Sequence, residues 1–477
     1  TSSKNSVYYG ELNDLVVVKG GEKYDVINPP ILSITDSVGT GATGTCSVKG
    51  VFEDIRILDS GFDYLEEPVI KITGGNGSGA NAVAKLNTVS HESIFNADGV
   101  GLGTVTIGSV SSATAGVNTS SIGFSTYHRF RTGERVVYDP LGGIPLVGLT
   151  TQSTYYVSSV SEYTLKLHKT FEDSVSGINT ISITNFGNGV QAIKSLNGKA
   201  KLSSIVLLDS GSNYENKERT CNSIGINTAL DTINIQNHGY QTGETIQYSV
   251  DGTSVDGLST SLDYLVYSLN ENSFKVAAVG VGTTTKDFYL KTNQFQELRS
   301  VGLGTHKFNY PPINVEVIGK VGLSSVAGKT YEAIVQPIVR GEITSVNLTN
   351  KGVGYGASEV INFNRTPDVS LNSGRDAVIT PVVANGKIVD VSVSYGGTDY
   401  NSPPDLVVLG IGSDAKLTPE INSSGNIVSV NIQSGGIGYG SSTTFVRVDS
   451  AGKGFKSRPS LQRWTINEFK KNLLNLN

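Results

Sequence analysis

A tetrapeptide, Gly-x-x-Tyr, recurs along this chain with the same surroundings each time, and it constrains the fold more than any other feature. It reads Gly61-Phe-Asp-Tyr64, Gly211-Ser-Asn-Tyr214, Gly352-Val-Gly-Tyr355, Gly397-Thr-Asp-Tyr400 and Gly436-Ile-Gly-Tyr439. Nine residues before each Tyr stands a β-branched residue (Ile55, Ile205, Val346, Val391, Val430), and seven before stands another apolar one (Ile57, Leu207, Leu348, Val393, Ile432). Spacing by two is the period of a strand with one buried face. The Gly supplies a turn conformation that a Cβ would resist. The Tyr is expected to cover the strand end while its hydroxyl stays in water.

Upstream of these tetrapeptides lie hairpin signals, Asn385-Gly386-Lys387-Ile388, Ser424-Gly425-Asn426-Ile427 and Arg340-Gly341-Glu342-Ile343. Downstream, a Pro opens a further strand, as in Pro68-Val-Ile-Lys-Ile72 and Pro404-Asp-Leu-Val-Val408. A stretch of the kind Gly77-Ser-Gly-Ala80 follows, and then a third strand. Each unit therefore reads as a small β-meander.

A larger repeat is superimposed. His128-Arg-Phe-Arg-Thr-Gly-Glu134-Arg-Val-Val-Tyr138 matches His238-Gly-Tyr-Gln-Thr-Gly-Glu244-Thr-Ile-Gln-Tyr248. The match continues through Gly148-Leu149 with Gly257-Leu258, Tyr155-Tyr-Val157 with Tyr264-Leu-Val266, and Gly187-x-Gly189 with Gly302-x-Gly304. These are two copies of one β module. The Pro-led strand expected after Tyr214 returns only at Pro311-Pro312-Ile313, so the second copy reads as an insertion.

The expected fold class is all-β and multidomain, with tandem small β-meander, sandwich-like repeats, two larger homologous modules and one short C-terminal helix. The expected layout is an N-terminal β segment (1–50), a first Gly-x-x-Tyr unit (51–94) and the first module (95–195). A second unit (196–221 with 309–340) is split by the inserted second module (222–308). Three tandem units (341–452) follow, then a linker and the C-terminal helix (453–477). Helix is expected mainly at about 464–475, because Thr465 and Glu468 have capping-box spacing. Trp464, Ile466, Phe469, Leu473 and Leu474 would form its apolar stripe and are the candidate assembly residues.

Composition narrows the function classes. Charged residues are 17% and Gly is 56 of 477, too little charge for a coiled coil and too much apolar residue for disorder. The net charge is −5 with no long block of one sign, so nucleic acid is not an expected partner. No run of 18 apolar residues occurs, so membrane insertion by a helix is not expected. Met is absent, and the chain is expected to be a piece of something longer. Cys46 and Cys221 are expected to be unpaired.

Chemistry is sparse. The five histidines (His91, His128, His168, His238, His306) form no zinc-hydrolase spacing. Gly74-Gly-Asn-Gly-Ser-Gly79 lacks the closing Lys-Ser/Thr of a phosphate loop. Glu66, Glu67, Glu134 and Glu244 are formal candidates for a glycosidase pair, but Glu134 and Glu244 occupy the same Thr-Gly-Glu turn of separate modules. The aromatic clusters Tyr127–Phe130 and Tyr155-Tyr156 are formal sugar platforms, and Asp59 to Asp63 a formal calcium turn that lacks dense Asp spacing. No catalytic, cofactor-binding or metal residue is expected, and no cofactor.

Both repeats, quoted above, resemble building blocks of virion structural proteins of tailed phages. They resemble especially the large tail, baseplate and fibre proteins of contractile-tailed marine cyanophages. The resemblance covers residues 50–452. It implies a non-enzymatic scaffold of the virion, assembled in the host cytoplasm, with other virion proteins as partners, a homo-oligomer such as a trimer, and a host-surface glycan or receptor as a further partner. Two other readings stand beside it, a secreted bacterial adhesin or carbohydrate-binding β-repeat protein, and a tail-associated glycan depolymerase.

Overall fold

Alternating burial marks the strands. In Arg135–Asp139, Val136 and Tyr138 are fully buried while their neighbours face outward, which the Val-x-Tyr pattern dictates. The computed structural model describes residues 8–37, 39–97, 105–106, 120–279, 294–323, 331–355, 368–371, 374–375, 377–401, 403–441, 444–448 and 455–465. The chain is 59% strand and 2% helix, in several separate antiparallel sheets. It is all-β, as its repeats predict.

The two modules are seven-stranded sheets with the same strand order. The first runs Glu92–Asn96, Val190–Ser195, Arg135–Asp139, Thr154–Ser161, Thr164–His168, Ser121–Gly123, Val105–Thr106. The second runs Glu218–Cys221, Leu303–Asn309, Thr245–Thr253, Asp263–Asn270, Ser273–Ala278, Thr232–Asn234, Ile226–Asn227. Each has its own apolar core, around Phe95, Phe130 and Tyr138 in the first and around Tyr248, Phe274 and Phe308 in the second. Three strands of each module precede the start of its sequence match at His128 or His238.

The first module is an insertion as well, not a tandem neighbour. Strand Ser78–Val89 pairs with Lys199–Ser212 from Val89 facing Lys199 onward, so the module hangs where a hairpin turn would be. A helix, Phe171–Ser176, also lies in it, capped by Thr170 and ended by left-handed Gly177. The expectation that helix gathers near 464–475 missed it, although Thr170, Asp173 and Gly177 are ordinary start and stop signals.

The units obey one register rule. The residue nine before the Tyr faces a residue on a first strand in every case: Val391 faces Pro381, Val430 faces Pro419, Ile205 faces Ala84, Ile55 faces Pro337 and Val346 faces Cys46. Only the C-terminal two are closed hairpins, Val378–Ala384 with Lys387–Tyr395 and Ser413–Ile421 with Ile427–Ile437. The expected hairpin at Arg340-Gly341-Glu342-Ile343 is not there. Ile334–Val353 runs straight through it for 20 residues and pairs along its length with Thr40–Asp59, also 20 residues. The boundaries expected at 50/51 and 340/341 therefore fall inside continuous strands, and the split unit expected at 196–221 with 309–340 is replaced by two different partnerships.

Units pack in twos. Tyr400 donates its N–H to the Gly425 carbonyl and Tyr439 to Gly386, both at 3.0 Å. Tyr64 does the same to Ala200 at 3.1 Å. The strands that follow the caps then pair within each couple, Val69–Thr73 with Asn314–Ile318 and Leu406–Leu409 with Phe445–Val448.

The expected C-terminal linker needs correction. Lys456–Thr465 is a strand, antiparallel to Tyr8–Lys19 from Tyr8 facing Thr465 to Lys19 facing Lys456. Trp464 and Thr465 thus lie in a sheet. The pairing gives this segment a row of inter-strand backbone bonds along one edge. Ile466, Phe469, Leu473 and Leu474 lie outside the described residues.

Candidate functional site

The repeated tetrapeptide builds a cap. Gly61, Gly211, Gly352, Gly397 and Gly436 all have φ between 62° and 68°, a region Gly enters without penalty. The residue before each Tyr is left-handed too, as in Asp63, Asn213, Gly354, Asp399 and Gly438. This double turn lays the Tyr ring back over its own Gly. A Cβ at Gly211 would stand 2.5 Å from the Ala80 nitrogen and 2.8 Å from the Tyr214 ring. The same crowding recurs at Gly61, Gly352, Gly397 and Gly436.

The Tyr hydroxyl is not in water, contrary to the expectation from sequence. It accepts the backbone N–H that opens the first strand: Ala333 to Tyr64 at 2.6 Å, Ala42 to Tyr355 at 3.1 Å and Ala377 to Tyr400 at 3.4 Å. Tyr214 has the equivalent bond from Ala80. All five rings are buried, and burial pushes the Tyr64 and Tyr214 phenols above their usual range. The Gly-x-x-Ala stretches are thus the other half of the cap.

A sixth cap escaped the sequence reading. Gly21-Glu-Lys-Tyr24 has Gly21 at φ 71° and Lys23 at φ 63°. Tyr24 is buried, and its hydroxyl accepts the Phe455 N–H at 3.1 Å. Leu15, nine residues before Tyr24, faces Pro459, as the register rule requires. Its two halves come from opposite ends of the chain. Gly452-Lys-Gly454-Phe455 repeats Gly39-Thr-Gly41-Ala42 with Phe for Ala, which was the available signal.

The Thr-Gly-Glu turns root the two modules in the frame. Glu134 Oε2 accepts the Arg131 N–H at 3.0 Å, and Glu244 Oε2 the Gln241 N–H at 2.9 Å. In the first root, Lys199, 1% exposed, reaches Glu134 at 2.5 Å and Asp63 at 3.2 Å. Arg131 also binds Asp63, at 2.5 Å, and Ser195 Oγ donates to Glu134 at 2.8 Å. In the second root, Tyr310 donates to Glu244 at 2.5 Å, and Lys217 donates to Tyr310 at 3.0 Å and pairs with Glu215 at 3.3 Å. Burial holds the Lys217 ammonium below its usual range and pushes the Tyr310 phenol well above its own. Arg219 reaches across to the frame, to Ser47 and Ser345 hydroxyls at 3.2 Å each.

The formal chemical candidates fall into the same construction. Glu134 and Glu244 lie in different sheets, each engaged in its own root, while Glu66 and Glu67 are exposed. His128 and His238 have one role: Nε2 meets the Ser161 or Asn270 carbonyl at 2.8 Å, and Nδ1 accepts the Phe130 or Tyr240 N–H at 3.0 Å. His168 and His306 are fully buried, each with Nε2 unpartnered. Burial lowers the pKa of all five imidazoles. In the 74–79 loop, Asn76 forms two bonds with the backbone of Thr245, at 2.7 and 3.0 Å, so the loop docks the second module. Phe130 and Tyr155 are core residues, and Tyr127 packs on Tyr163 at 4.8 Å. Asp59 accepts the Gly61 N–H at 2.8 Å. Both cysteines are free, with thiols pushed up to about 12 by burial. Among the described residues no cluster could hold a metal ion, and no helix is long and apolar enough to cross a membrane.

Compared with known proteins, the chain matches no family model, no curated protein and no solved structure.

Proposed function

We propose that this chain is a non-enzymatic structural component of a phage virion, of the tail, baseplate or fibre class, and that it holds two β modules out from a frame of Tyr-capped strands. The observation that carries the reading is the use of its reactive side chains. Both repeated glutamates and both repeated histidines are held in bonds that lock a turn or root a module. A repeat that maintains such residues for mechanics suits a scaffold. The resemblance of both repeats to virion building blocks supplies the particle class.

Host attachment would belong to the far end of the first module. Strands Arg135–Asp139 and Val190–Ser195 start from the root at Glu134 and Ser195. At their other ends Leu141, Ile144, Val147 and Phe186 are 45–61% exposed. Such a group of apolar side chains suits a contact surface.

The test is particle composition. Purified virions analysed by mass spectrometry and immunogold labelling should contain the protein at a tail or baseplate position. Its absence from intact particles, or release of oligosaccharides from host glycans by the purified chain, would overturn the proposal. I144D/F186D should then separate attachment from assembly: particles form in normal number but adsorb less.

A further inference from the structure

The long strands Thr40–Asp59 and Ile334–Val353 each cover both strand positions of a Gly-x-x-Tyr unit. In the closed hairpins, Ala377 precedes Tyr400 by 23 residues and Ala415 precedes Tyr439 by 24. In the long strands, Ala42 precedes Tyr64, and Ala333 precedes Tyr355, by 22. Fourteen residues before the Tyr stands the turn glycine of the hairpins, Gly386 or Gly425, and the long strands carry Gly50 and Gly341 at that place. Yet the caps are crossed. Tyr64 takes its N–H from Ala333 and Tyr355 takes its own from Ala42, and Cys46 faces Val346 where a closed unit would have it face Ile55.

We infer that these strands are two opened hairpins that have traded halves within one chain, and that the residues before Gly50 and Gly341 set the choice. The closed turn Asn385-Gly386 has both residues left-handed, at φ 51° and 75°. Asn tolerates that conformation because its short side chain bonds locally. Lys49 and Arg340 stand in the same place, and long side chains enter that conformation less readily than Asn. Arg340 pairs with Asp25, its neighbour on the flanking strand Tyr24–Asp25, at 3.1 Å. The glycines persist for another reason. Gly50 faces Gly341, and a Cβ on either would run into the opposite carbonyl, Arg340 O or Lys49 O. The exchange joins two couples of units by a continuous two-stranded ribbon in place of two separate linkers. This inference rests on register and cap partners, and it holds whatever particle the chain belongs to.

The native Cys46 makes the test direct. In a C221S background, V346C should crosslink with Cys46 under mild oxidation and I55C should not, as read by peptide mapping. Adding K49N/R340N should invert that preference, with crosslinking moving to I55C. A second variant, replacing Lys49-Gly50 and Arg340-Gly341 with the five-residue turn of residues 422–426, should do the same if the first does not fold. Crosslinking to I55C in the parent, or retention of the V346C crosslink in every folded variant, overturns the inference.

Discussion

Removing the C-terminal strand should unfasten the N-terminus. Two truncations make the comparison, one after Thr465, which keeps the strand, and one after Gly454, which deletes it. The strand pairs with Leu12 and Leu15, which are 0% and 2% exposed and are held in place by that pairing, and Phe455 supplies the N–H for the Tyr24 hydroxyl. Uncovering two leucines costs roughly 3–6 kcal/mol at about 1.5–3 each. The lost hydrogen bond adds about 1 kcal/mol. That is comparable with the whole stability of a typical domain, about 5–15 kcal/mol, but it is confined to one couple of units. Native-state hydrogen exchange should show protection at Leu12 to Val17 unchanged in the longer truncation and lost in the shorter one. The two inserted modules should keep theirs. Equal protection of Leu12 to Val17 in both truncations would refute the terminal pairing.

Three further outcomes follow from the caps, the roots and the histidines. Tyr355→Phe removes the acceptor of the half-buried Ala42 N–H and should cost about 1 kcal/mol, read from denaturant midpoints. Tyr395→Phe, at a ring 52% exposed, should stay within about 0.5 kcal/mol of the parent. Lys199→Met leaves the buried Glu134 carboxylate without its cation, while Asp63 keeps Arg131, and should cost about 3–5 kcal/mol, with proteolysis opening the first root while the second stays closed; equal cleavage of both roots would contradict the assignment. The imidazole pKa values are lowered on folding, so the unfolded chain takes up these protons first as pH falls below about 6.5. The histidine contribution to stability is therefore complete above that pH and declines below it, by up to about 1.4 kcal/mol per pH unit for each group. A thermal midpoint flat from pH 7 to 5 would show the histidines to be solvated.

Local pattern carried far. Val346 and Leu348, or Val430 and Ile432, announce a strand because period two survives in any context. The His-x-x-x-Thr-Gly-Glu match announced two modules of one topology. Partnership was harder to read. Ile55 finds Pro337 and Leu15 finds Pro459 across hundreds of residues, and nothing near Ile55 or Leu15 names the partner. The Arg340-Gly341 turn signal was a true repeat position with the wrong conformation, because the same glycine serves a tight turn or a close strand crossing. The stretch up to Trp464-Thr465 read as a linker, and only the distant strand Tyr8–Lys19 makes it a strand. The roots were half visible: Glu134 and Glu244 stood out as equivalents because both are turn residues of the repeat, while Lys199 and Lys217 did not, since they lie outside the matched stretch.

Each module joins the frame through two adjacent rungs, Val89 beside Lys199 for the first and Glu218 beside Asn309 for the second. Chain length added between such rungs leaves the spacing of everything outside them untouched. The frame is thus a rack with two cargo positions, whose contents can be enlarged, replaced or removed by a lineage without re-fitting the rack. The two modules have already diverged where the frame is not consulted: Ile144 and Val147 at the outer end of one stand where the other, by the Tyr138–Tyr248 and Gly148–Gly257 matches, carries Thr253 and Asp256.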